Sequence, residues 1–290
     1  MPRLPVLKTY KLYIGGKYPR TESGRYLQVH NQKGEFVANI CHASRKDFRD
    51  SVVAARKAQE GWAGRTAFNR GQILYRMAEM METRRASFER QLVEIAGYDQ
   101  EDAADEVDTA IDRMVWYAGW SDKFEQVFGS TNPVSSSHFN FTVPEATGVV
   151  AVFAPEEAPL LGLVSAVMPI IVGGNAAIAI VDNDAPTIAI EFAEVLNNSD
   201  LPGGVINILT GQRDELIGHV GGHKDVDGVA CYGPSDEHRE QLAIEGTETV
   251  KRMKFYDAAD AADWRSADMQ SPYRIMPFVE FKTAWHPVGQ

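Results

Sequence analysis

The chain has 290 residues, of which 44% are hydrophobic, so it can bury a substantial core in one large domain or two modest ones. Its 29 basic and 40 acidic residues give a net charge of -11, which would repel a polyanion, and we expect no nucleic-acid partner. The longest apolar run, 160–172, is interrupted by Gly162, Ser165 and Pro169 and is too short to span a bilayer, so we also expect no membrane partner.

The two cysteines, Cys41 and Cys231, indicate a reducing compartment, where isolated cysteines behave as small buried hydrophobes rather than as a disulfide. The N-terminal segment carries neither the apolar stretch nor the small-residue cleavage site of a secretory signal. We therefore expect a cytoplasmic protein.

Short strands are predicted at the start of the chain, where the segments 10–16, 25–31 and 34–41 are bounded by glycine turns. From Ser44 the apolar residues recur at three and four positions. Ser44, followed three residues later by Asp47, has the pattern of a capping box, so a helix is predicted to begin there.

Two longer helices are predicted next, over 72–92 and 101–124, because apolar residues recur there at helical spacing. The second of these begins in an acidic run, 99–112, that contains no basic residue. Carboxylates are stabilised near a helix N-terminus, so we interpret the run as a solvated helix face rather than as a cation site.

From Thr147 onward, strand and helix segments alternate. The strand segments are continuous apolar runs, which is typical of strands buried on both faces. They lie at 148–154, 176–181, 204–210 and 227–233. We therefore predict an α/β fold with a doubly wound parallel sheet and right-handed crossovers.

Two arrangements of reactive side chains are interpreted as structural. His219 and His223 stand four residues apart, but the two glycines between them oppose a helical metal pair, and we predict no metal site. Ser165 lacks the flanking glycines of a nucleophile elbow, so we do not predict a catalytic serine.

Several motifs resemble the aldehyde dehydrogenase superfamily. They are LYIGGK at 12–17, Ala-Arg-Lys-Ala followed by Trp62 in the first helix, and LPGGVINILTG at 201–211. The resemblance implies a Rossmann-like coenzyme domain, 147–256, that follows a region of N-terminal strands and helices, 1–130.

In that family, the turn after the first strand of the coenzyme domain carries a Trp-Asn pair, whose asparagine stabilises an oxyanion. Here those positions are Glu156 and Glu157, and a carboxylate would repel the oxyanion. The lysine and glutamate that bind the adenosine ribose in the family are replaced by Ile180 and Asn183.

The glycine turns that face the coenzyme phosphates in the family are retained only in part. Gly233 survives but is followed by Pro234, which has no backbone donor, and Gly211 is followed closely by the bulky Arg213. Arg213 could bind a phosphate, but the interpretation we favour is a surface pair with Asp214. We interpret Gly211 and Gly233 as vestigial and predict no cofactor, with NAD as the alternative.

The catalytic half of the family is not recognisable in this sequence. The segment 249–256 resembles the strand that carries the general-base glutamate, but it lacks that residue and leads into an acidic connector, 257–271, in place of a catalytic domain. Neither cysteine has the context of a reactive thiol. We predict that the chain has no catalytic residues and is catalytically dead on its own.

The C-terminal segment resembles the terminal strand of bimodular aldehyde dehydrogenases whose second module lacks the cysteine. Together, 131–146 and 272–290 predict a small antiparallel oligomerisation sheet, and its apolar contacts are Phe139, Phe141, Phe278, Phe281 and Trp285. We hypothesise a pseudoenzyme that acts as a structural or regulatory subunit, as a homo-oligomer or with a full-length aldehyde dehydrogenase. The alternative is a working NAD-dependent oxidoreductase or nucleotide-binding module with a remodelled site.

Overall fold

The computed structural model describes residues 7–259 and 261–289. Residues 1–6 of the predicted N-terminal region, residue 260 of the predicted connector and residue 290 of the predicted oligomerisation sheet lie outside the described residues. The first half of the chain contains a hairpin, a group of helices and two strands of a small sheet. These elements are β1 (Tyr26–His30), β2 (Phe36–Cys41), α1 (Arg45–Ala63), α2 (Ala67–Glu82), α3 (Arg85–Gln91), α4 (Gln100–Trp120), α5 (Phe124–Phe128), β3 (Ser130–Asn132) and β4 (His138–Ala146).

The second half alternates strands and helices and then returns to the small sheet. Its elements are β5 (Val149–Phe153), α6 (Leu161–Val172), β6 (Ala176–Val181), α7 (Thr187–Asn197), β7 (Ile206–Thr210), α8 (Arg213–Gly221), β8 (Gly228–Tyr232), α9 (Asp236–Glu245), β9 (Arg252–Tyr256), α10 (Ala261–Arg265) and β10 (Val279–Pro287). Strands β5 to β9 form a parallel sheet in the order β7-β6-β5-β8-β9. The chain therefore winds first one way and then the other, with the reversal between β5 and β8.

Helices cover both faces of this sheet. Val150 and Val152 of β5 belong to one apolar cluster with residues of α4, α6 and α7, whereas Val149, Ala151 and Phe153 belong to another with residues of α1, α8 and α9. Alternate residues of a strand point to opposite faces, so both sets must be apolar. The predicted doubly wound α/β fold is confirmed.

Local signals predicted some helix boundaries well and one poorly. The capping box at α1 is confirmed, since Ser44 Oγ accepts from the Asp47 N–H at 3.3 Å and Asp47 Oδ2 accepts from the Ser44 N–H at 2.8 Å. The single helix predicted over 72–92 is instead interrupted between α2 and α3. At the break, the Arg84 guanidinium donates to Glu191 of α7 at 2.6 Å.

The first predicted strand, 10–16, meets the β1–β2 hairpin at Tyr10, whose carbonyl accepts from the Cys41 N–H of β2 at 3.3 Å, but it does not continue along the hairpin. Tyr13 instead exchanges both backbone hydrogen bonds with Ile208 of β7, at 2.9 and 2.8 Å, so this segment lies along the edge of the parallel sheet. Gly16 permits the approach, because its φ is +75° and a Cβ there would lie 2.9 Å from Gly203 Cα.

Strands β3, β4 and β10 form the small antiparallel sheet, in the order β10-β4-β3. β10 pairs with β4 in unbroken register over nine residues, from Val279 opposite Ala146 to Pro287 opposite His138. The predicted pairing of two segments that are distant in sequence is confirmed. Its role in oligomerisation stays a prediction.

The buried side chain of Asn175 joins the small sheet to the parallel one. Its Oδ1 accepts from the Gly148 N–H at 2.8 Å, just before β5. Its Nδ2 donates to the carbonyls of Ile170 at 3.0 Å and Phe278 at 2.8 Å. One amide thus fixes the start of β5, the end of α6 and the root of β10.

The first turn of helix α6 and its N-cap residue, Leu160, carry only apolar side chains, so they offer no side chain to cap the N-terminus of the helix. Glu106 of α4 supplies the cap, because its Oε1 accepts from the backbone N–H groups of Leu160 at 3.0 Å and Leu161 at 3.2 Å. Burial raises the pKa of Glu106, and the two backbone donors oppose that rise. Among the residues that the structure describes, no helix is both long and apolar enough to cross a membrane.

We predict that Glu106→Ala lowers the free energy of unfolding by about 3 kcal/mol, because two buried N–H groups lose their acceptor. Glu106→Gln keeps an acceptor oxygen and should retain most of the stability. Urea unfolding measures both, with the exposed Glu60→Ala on α1 as a control that changes stability by less than about 0.5 kcal/mol. Equal effects of Glu106→Ala and Glu60→Ala would contradict the capping role.

The raised pKa of Glu106 also makes the free energy of unfolding depend on pH. The native state holds the Glu106 proton more tightly than the unfolded chain, so this contribution to stability is complete below the ordinary carboxyl pKa and is lost as pH rises through the raised one. The stability of Glu106→Gln relative to the wild type should therefore increase with pH across this window.

Candidate functional site

The candidate site lies at the carboxyl end of the parallel sheet, where the turns after β5, β6, β7 and β8 meet. Open α/β sheets bind ligands at this end, beside the point where the winding reverses. The turns place Glu156 and Glu157 after β5, Asp182 and its neighbours after β6, Arg213 after β7, and Gly233 after β8.

The turn after β5 contains a strained residue. Ala158 has φ +49°, a conformation that a residue with a Cβ rarely adopts, and its side chain is buried. The Ala158 carbonyl accepts from the Gly162 N–H at 2.6 Å, and the Glu106 cap holds the next residues. Both contacts fix the residues that directly follow Glu156 and Glu157.

An acidic cavity of about 580 Å³ opens between the turns after β5 and β6. Four of its lining residues carry carboxylates, namely Glu156, Glu157, Asp182 and Asp184. Tyr98, which follows α3, also lines the cavity, and burial raises the pKa of its hydroxyl, so it remains protonated at neutral pH. The volume is in the range of small-molecule sites.

Arg213 is buried at the reversal point of the sheet, and only 4% of its surface is exposed. Its guanidinium donates to the carbonyls of Gly233 at 3.0 Å and Ala154 at 3.2 Å and lies 5.7 Å from the Phe153 ring centre. Its backbone N–H donates to Asp182 Oδ2 at 2.7 Å. The predicted surface pair with Asp214 is wrong, because Asp214 instead contacts His238 of α9 at 2.8 Å.

The two glycines interpreted as vestigial lie in different surroundings. Gly233 is exposed with φ +58°, and a Cβ there would lie 3.9 Å from Ala258 Cβ, an ordinary van der Waals distance. Gly211 is buried, and a Cβ there would lie 3.3 Å from both the Ala43 backbone nitrogen and the His42 ring. Gly233 therefore leaves room for a ligand, whereas Gly211 serves close packing.

In the family, two side chains bind the adenosine ribose of the coenzyme. The residues at those two positions here, Ile180 and Asn183, are not placed to do so. Ile180 is 1% exposed and belongs to the apolar cluster with α1 and α8. Asn183 Oδ1 accepts from the Ala185 N–H at 3.0 Å and shapes the turn after β6. A coenzyme ribose would therefore need other partners.

The connector after β9 packs back onto the helices, an arrangement that sequence reasoning missed. The buried Arg113 of α4 donates to Ser165 Oγ at 2.7 Å and to the Trp264 carbonyl at 3.0 Å. Burial lowers the pKa of Arg113 to about 10, and the residue stays charged at neutral pH. Tyr232 and Tyr256 stack at 4.4 Å beside Trp264. The signal available in the sequence was an arginine at a core-facing position of α4.

The predicted interface residues do not all lie on the surface. Phe139, Phe281 and Trp285 are about half exposed on β4 and β10, and Phe141 is partly buried beside Phe139, with ring centres 5.5 Å apart. Phe278 is 1% exposed and packs in the main core at the root of β10. An assembly role stays a prediction for the four residues of the small sheet.

The aldehyde dehydrogenase family model matches residues 18–255, which is most of the chain. The chain belongs to the aldehyde dehydrogenase family. Among curated members, it is 30% identical to cytosolic aldehyde dehydrogenase 1 of Elephantulus edwardii over 87% of its own length and 52% of that protein. It is 25% identical to the NADP(+) D-glyceraldehyde dehydrogenase of Thermoplasma acidophilum, over 94% of its length and 56% of that protein.

Solved structures of the family show the same fold. An aldehyde dehydrogenase variant from Bacillus cereus superposes with a TM-score of 0.80 at 25% identity, covering 86% of this chain and 50% of that one. The chain thus spans about half the length of the relatives it matches.

Two predictions are corrected by these comparisons. The prediction of a catalytically dead chain is contradicted, because the curated relatives are named as dehydrogenases. The prediction of no cofactor is contradicted as well, because the chain belongs to this family and a curated relative is named for its use of NADP(+). Ile180 and Asn183 differ from the family's residues, but the fold around the carboxyl end of the parallel sheet is that of the family.

Both cysteines are free and buried, and neither adjoins the acidic cavity. Burial raises the pKa of the Cys231 thiol to about 11, so this group is protonated at neutral pH. Neither thiol is placed to attack an aldehyde.

We predict that neither cysteine of the native chain reacts with a thiol-specific reagent at about pH 8, whereas both react in denaturant. Thiol titration before and after adding guanidinium measures this. Ser135→Cys, in an exposed loop, is the control and should react at once. Rapid native labelling of Cys231 would show that the thiol is accessible and contradict its burial.

Proposed function

We propose that the chain is an NAD(P)-dependent oxidoreductase of the aldehyde dehydrogenase family that binds its coenzyme at the carboxyl end of the parallel sheet. The observation that carries the proposal is Arg213, a buried guanidinium at the reversal point whose side-chain acceptors are neutral carbonyls. A cation in this position suits the pyrophosphate of a dinucleotide. The named activities of the relatives support the same proposal.

The phosphate end of the site fits the coenzyme. Gly233 is exposed and open, so a phosphate can approach its backbone closely. The N-terminus of α9 follows two residues later and adds the positive end of a helix dipole. Pro234 removes one backbone donor from this turn, and Arg213 compensates with its charge.

The acidic cavity suits the other end of the coenzyme. When bound, the oxidised coenzyme supplies a positively charged nicotinamide ring that accepts a hydride. Asp182 and Asp184 flank Asn183, where the resemblance places the adenosine ribose. Glu156 and Glu157 lie on the β5 side of the cavity and attract the nicotinamide ring more strongly than its neutral reduced form. These carboxylates therefore favour binding of the oxidised coenzyme.

We propose an aldehyde as the substrate, on the strength of the relatives' names. Because both thiols are buried, the proposal assigns a covalent step on the aldehyde to neither Cys41 nor Cys231. Two free cysteines also support a location in the cytoplasm. The resemblance to the second module of bimodular enzymes stays a prediction.

The contribution of the Arg213 charge to coenzyme binding can be tested by calorimetric titration with NAD+ and NADP+. Arg213→Gln should weaken binding of the preferred coenzyme by at least about tenfold, because the buried positive charge that attracts the pyrophosphate is lost. The exposed Arg49→Gln on α1 is a matched control and should bind like the wild type. If the wild-type chain binds neither coenzyme at millimolar concentration, the proposal fails. Formation of reduced coenzyme with a panel of aldehydes then tests the reaction itself.

The carboxylates of the cavity can be tested by comparing NAD+ with NADH. The wild type should bind NAD+ more tightly, and the double substitution Glu156→Gln and Glu157→Gln should reduce this preference by about fivefold, as expected for charges a few ångströms from the ring. Glu60→Gln on α1 should leave the ratio unchanged. An unchanged ratio in the double variant would place the nicotinamide elsewhere.

A further inference from the structure

Arg113 of α4 is a buried cation whose hydrogen-bond acceptors are all neutral. No part of the residue is exposed, and its guanidinium donates to Ser165 Oγ at 2.7 Å and to the carbonyls of Trp264 at 3.0 Å and Ser266 at 3.5 Å. Within residues 7–259 and 261–289, no carboxylate pairs with Arg113, and its Nε–H has no acceptor. A buried charge without a counter-charge is costly, so this position favours an anion.

A second guanidinium adds to the positive charge. Arg274 lies 5.4 Å from the centre of the Tyr256 ring, and one of its terminal nitrogens, Nη1, is buried without an acceptor. Of the residues that the structure describes, none brings a carboxylate into contact with Arg274. Burial lowers the pKa of Arg113, and the charge of Arg274 lowers it further. The two cations therefore act on each other without a neutralising anion.

The two carbonyls that accept from Arg113 belong to one short segment, residues 264–271 of the connector, which we name the strap. The strap is attached at two points. Trp264 is 1% exposed in the main core, and Arg265 pairs with Asp102 at 2.9 Å and with Asp105 at 3.0 Å, on the acidic face of α4.

Few strong contacts hold the strap in place. The two carboxylates that bind Arg265 are more than half exposed, and exposed ion pairs contribute little to stability. The indole N–H of Trp264 is buried without an acceptor, and an unpaired buried donor is destabilising. Opening of the strap returns this N–H to water, which offsets part of the cost of exposing the ring.

We propose that the strap occupies a ligand site on Arg113, and that a small carboxylate with an apolar body displaces it. The carboxylate oxygens accept from the guanidinium in place of the Trp264 and Ser266 carbonyls. The apolar body packs on Tyr232 in place of the Trp264 ring, whose centre lies 5.7 Å from that of Tyr232. The proposal concerns α4, β8 and the connector, and it does not depend on coenzyme binding.

A carboxylate is a better partner for Arg113 than the strap carbonyls are. It supplies the counter-charge that a carbonyl lacks, and its two oxygens match the planar guanidinium. A ligand shifts a conformational equilibrium only by its different affinity for the two states. Here that difference is large, because the closed strap already fills the position and the open strap leaves the cation unpaired.

Benzoate is a suitable probe, because its ring copies the Trp264 ring and its carboxylate supplies the missing charge. Calorimetric titration of the full chain should give a dissociation constant of about 1 to 10 mM, as expected for a small ligand that must displace part of the protein. Benzamide has the same shape without the charge and should bind at least about tenfold more weakly.

Hydrogen exchange followed by mass spectrometry detects displacement of the strap directly. Saturating benzoate should speed the exchange of the amides of 264–271 at least about tenfold, because a displaced segment exchanges through its open state. The amides of α9 should be unaffected and serve as the internal reference. Benzamide at the same concentration should leave the strap protected.

Two substitutions should change benzoate binding in opposite directions. Arg113→Met should abolish binding, because the cation is lost. Arg265→Met removes the ion pairs of the strap and should strengthen binding at least about threefold, because the strap then competes less well. The exposed Arg49→Gln on α1 is the control and should bind like the wild type. Arg265→Met also keeps the test decisive if Arg113→Met does not fold.

Three results would overturn the proposal. The first is an unchanged exchange rate of the strap in the wild type at saturating benzoate or an absence of benzoate binding. The second is equal binding of benzamide and benzoate, which would show that the charge of Arg113 is not recognised. The third is weaker binding by Arg265→Met, which would make the strap part of the site rather than its competitor.

Discussion

The two sheets of this protein depend on one buried amide. Asn175 has no exposed surface, and its three hydrogen bonds reach the backbone just before β5, near the end of α6 and just before β10. A buried amide is costly unless its groups are satisfied, and here the side chain is satisfied by three backbone groups in the core. Asn175 therefore links the root of the small sheet to the start of β5 and the end of α6.

Local signals in the sequence were sufficient to predict the parallel sheet and the start of α1. Continuous apolar runs predicted the buried parallel strands, and Ser44 with Asp47 predicted the start of α1, because both features depend on residues close together in the chain. The pairing of β4 with β10 was predicted from resemblance, since nothing in strand propensity connects segments more than 130 residues apart.

The candidate site was predicted less well, because its key groups act over long sequence separations. Arg213 looks like a surface residue next to Asp214, yet the fold buries it under carbonyls from β5 and β8. Glu106 looks like one carboxylate of an acidic helix, although it caps a helix that begins 55 residues later. Phe278 and Phe281 are both phenylalanines in the same apolar segment. Phe278 is buried and Phe281 is exposed because β10 leaves the core between them.

The burial of Arg113 has a consequence for the order of events during synthesis. Its guanidinium needs the carbonyls of Trp264 and Ser266, which leave the ribosome about 150 residues after Arg113 itself. A nascent chain that ends at β9 would have to leave this cation in water or bury it without those acceptors. Helix α4 can therefore dock completely only once the connector has been synthesised.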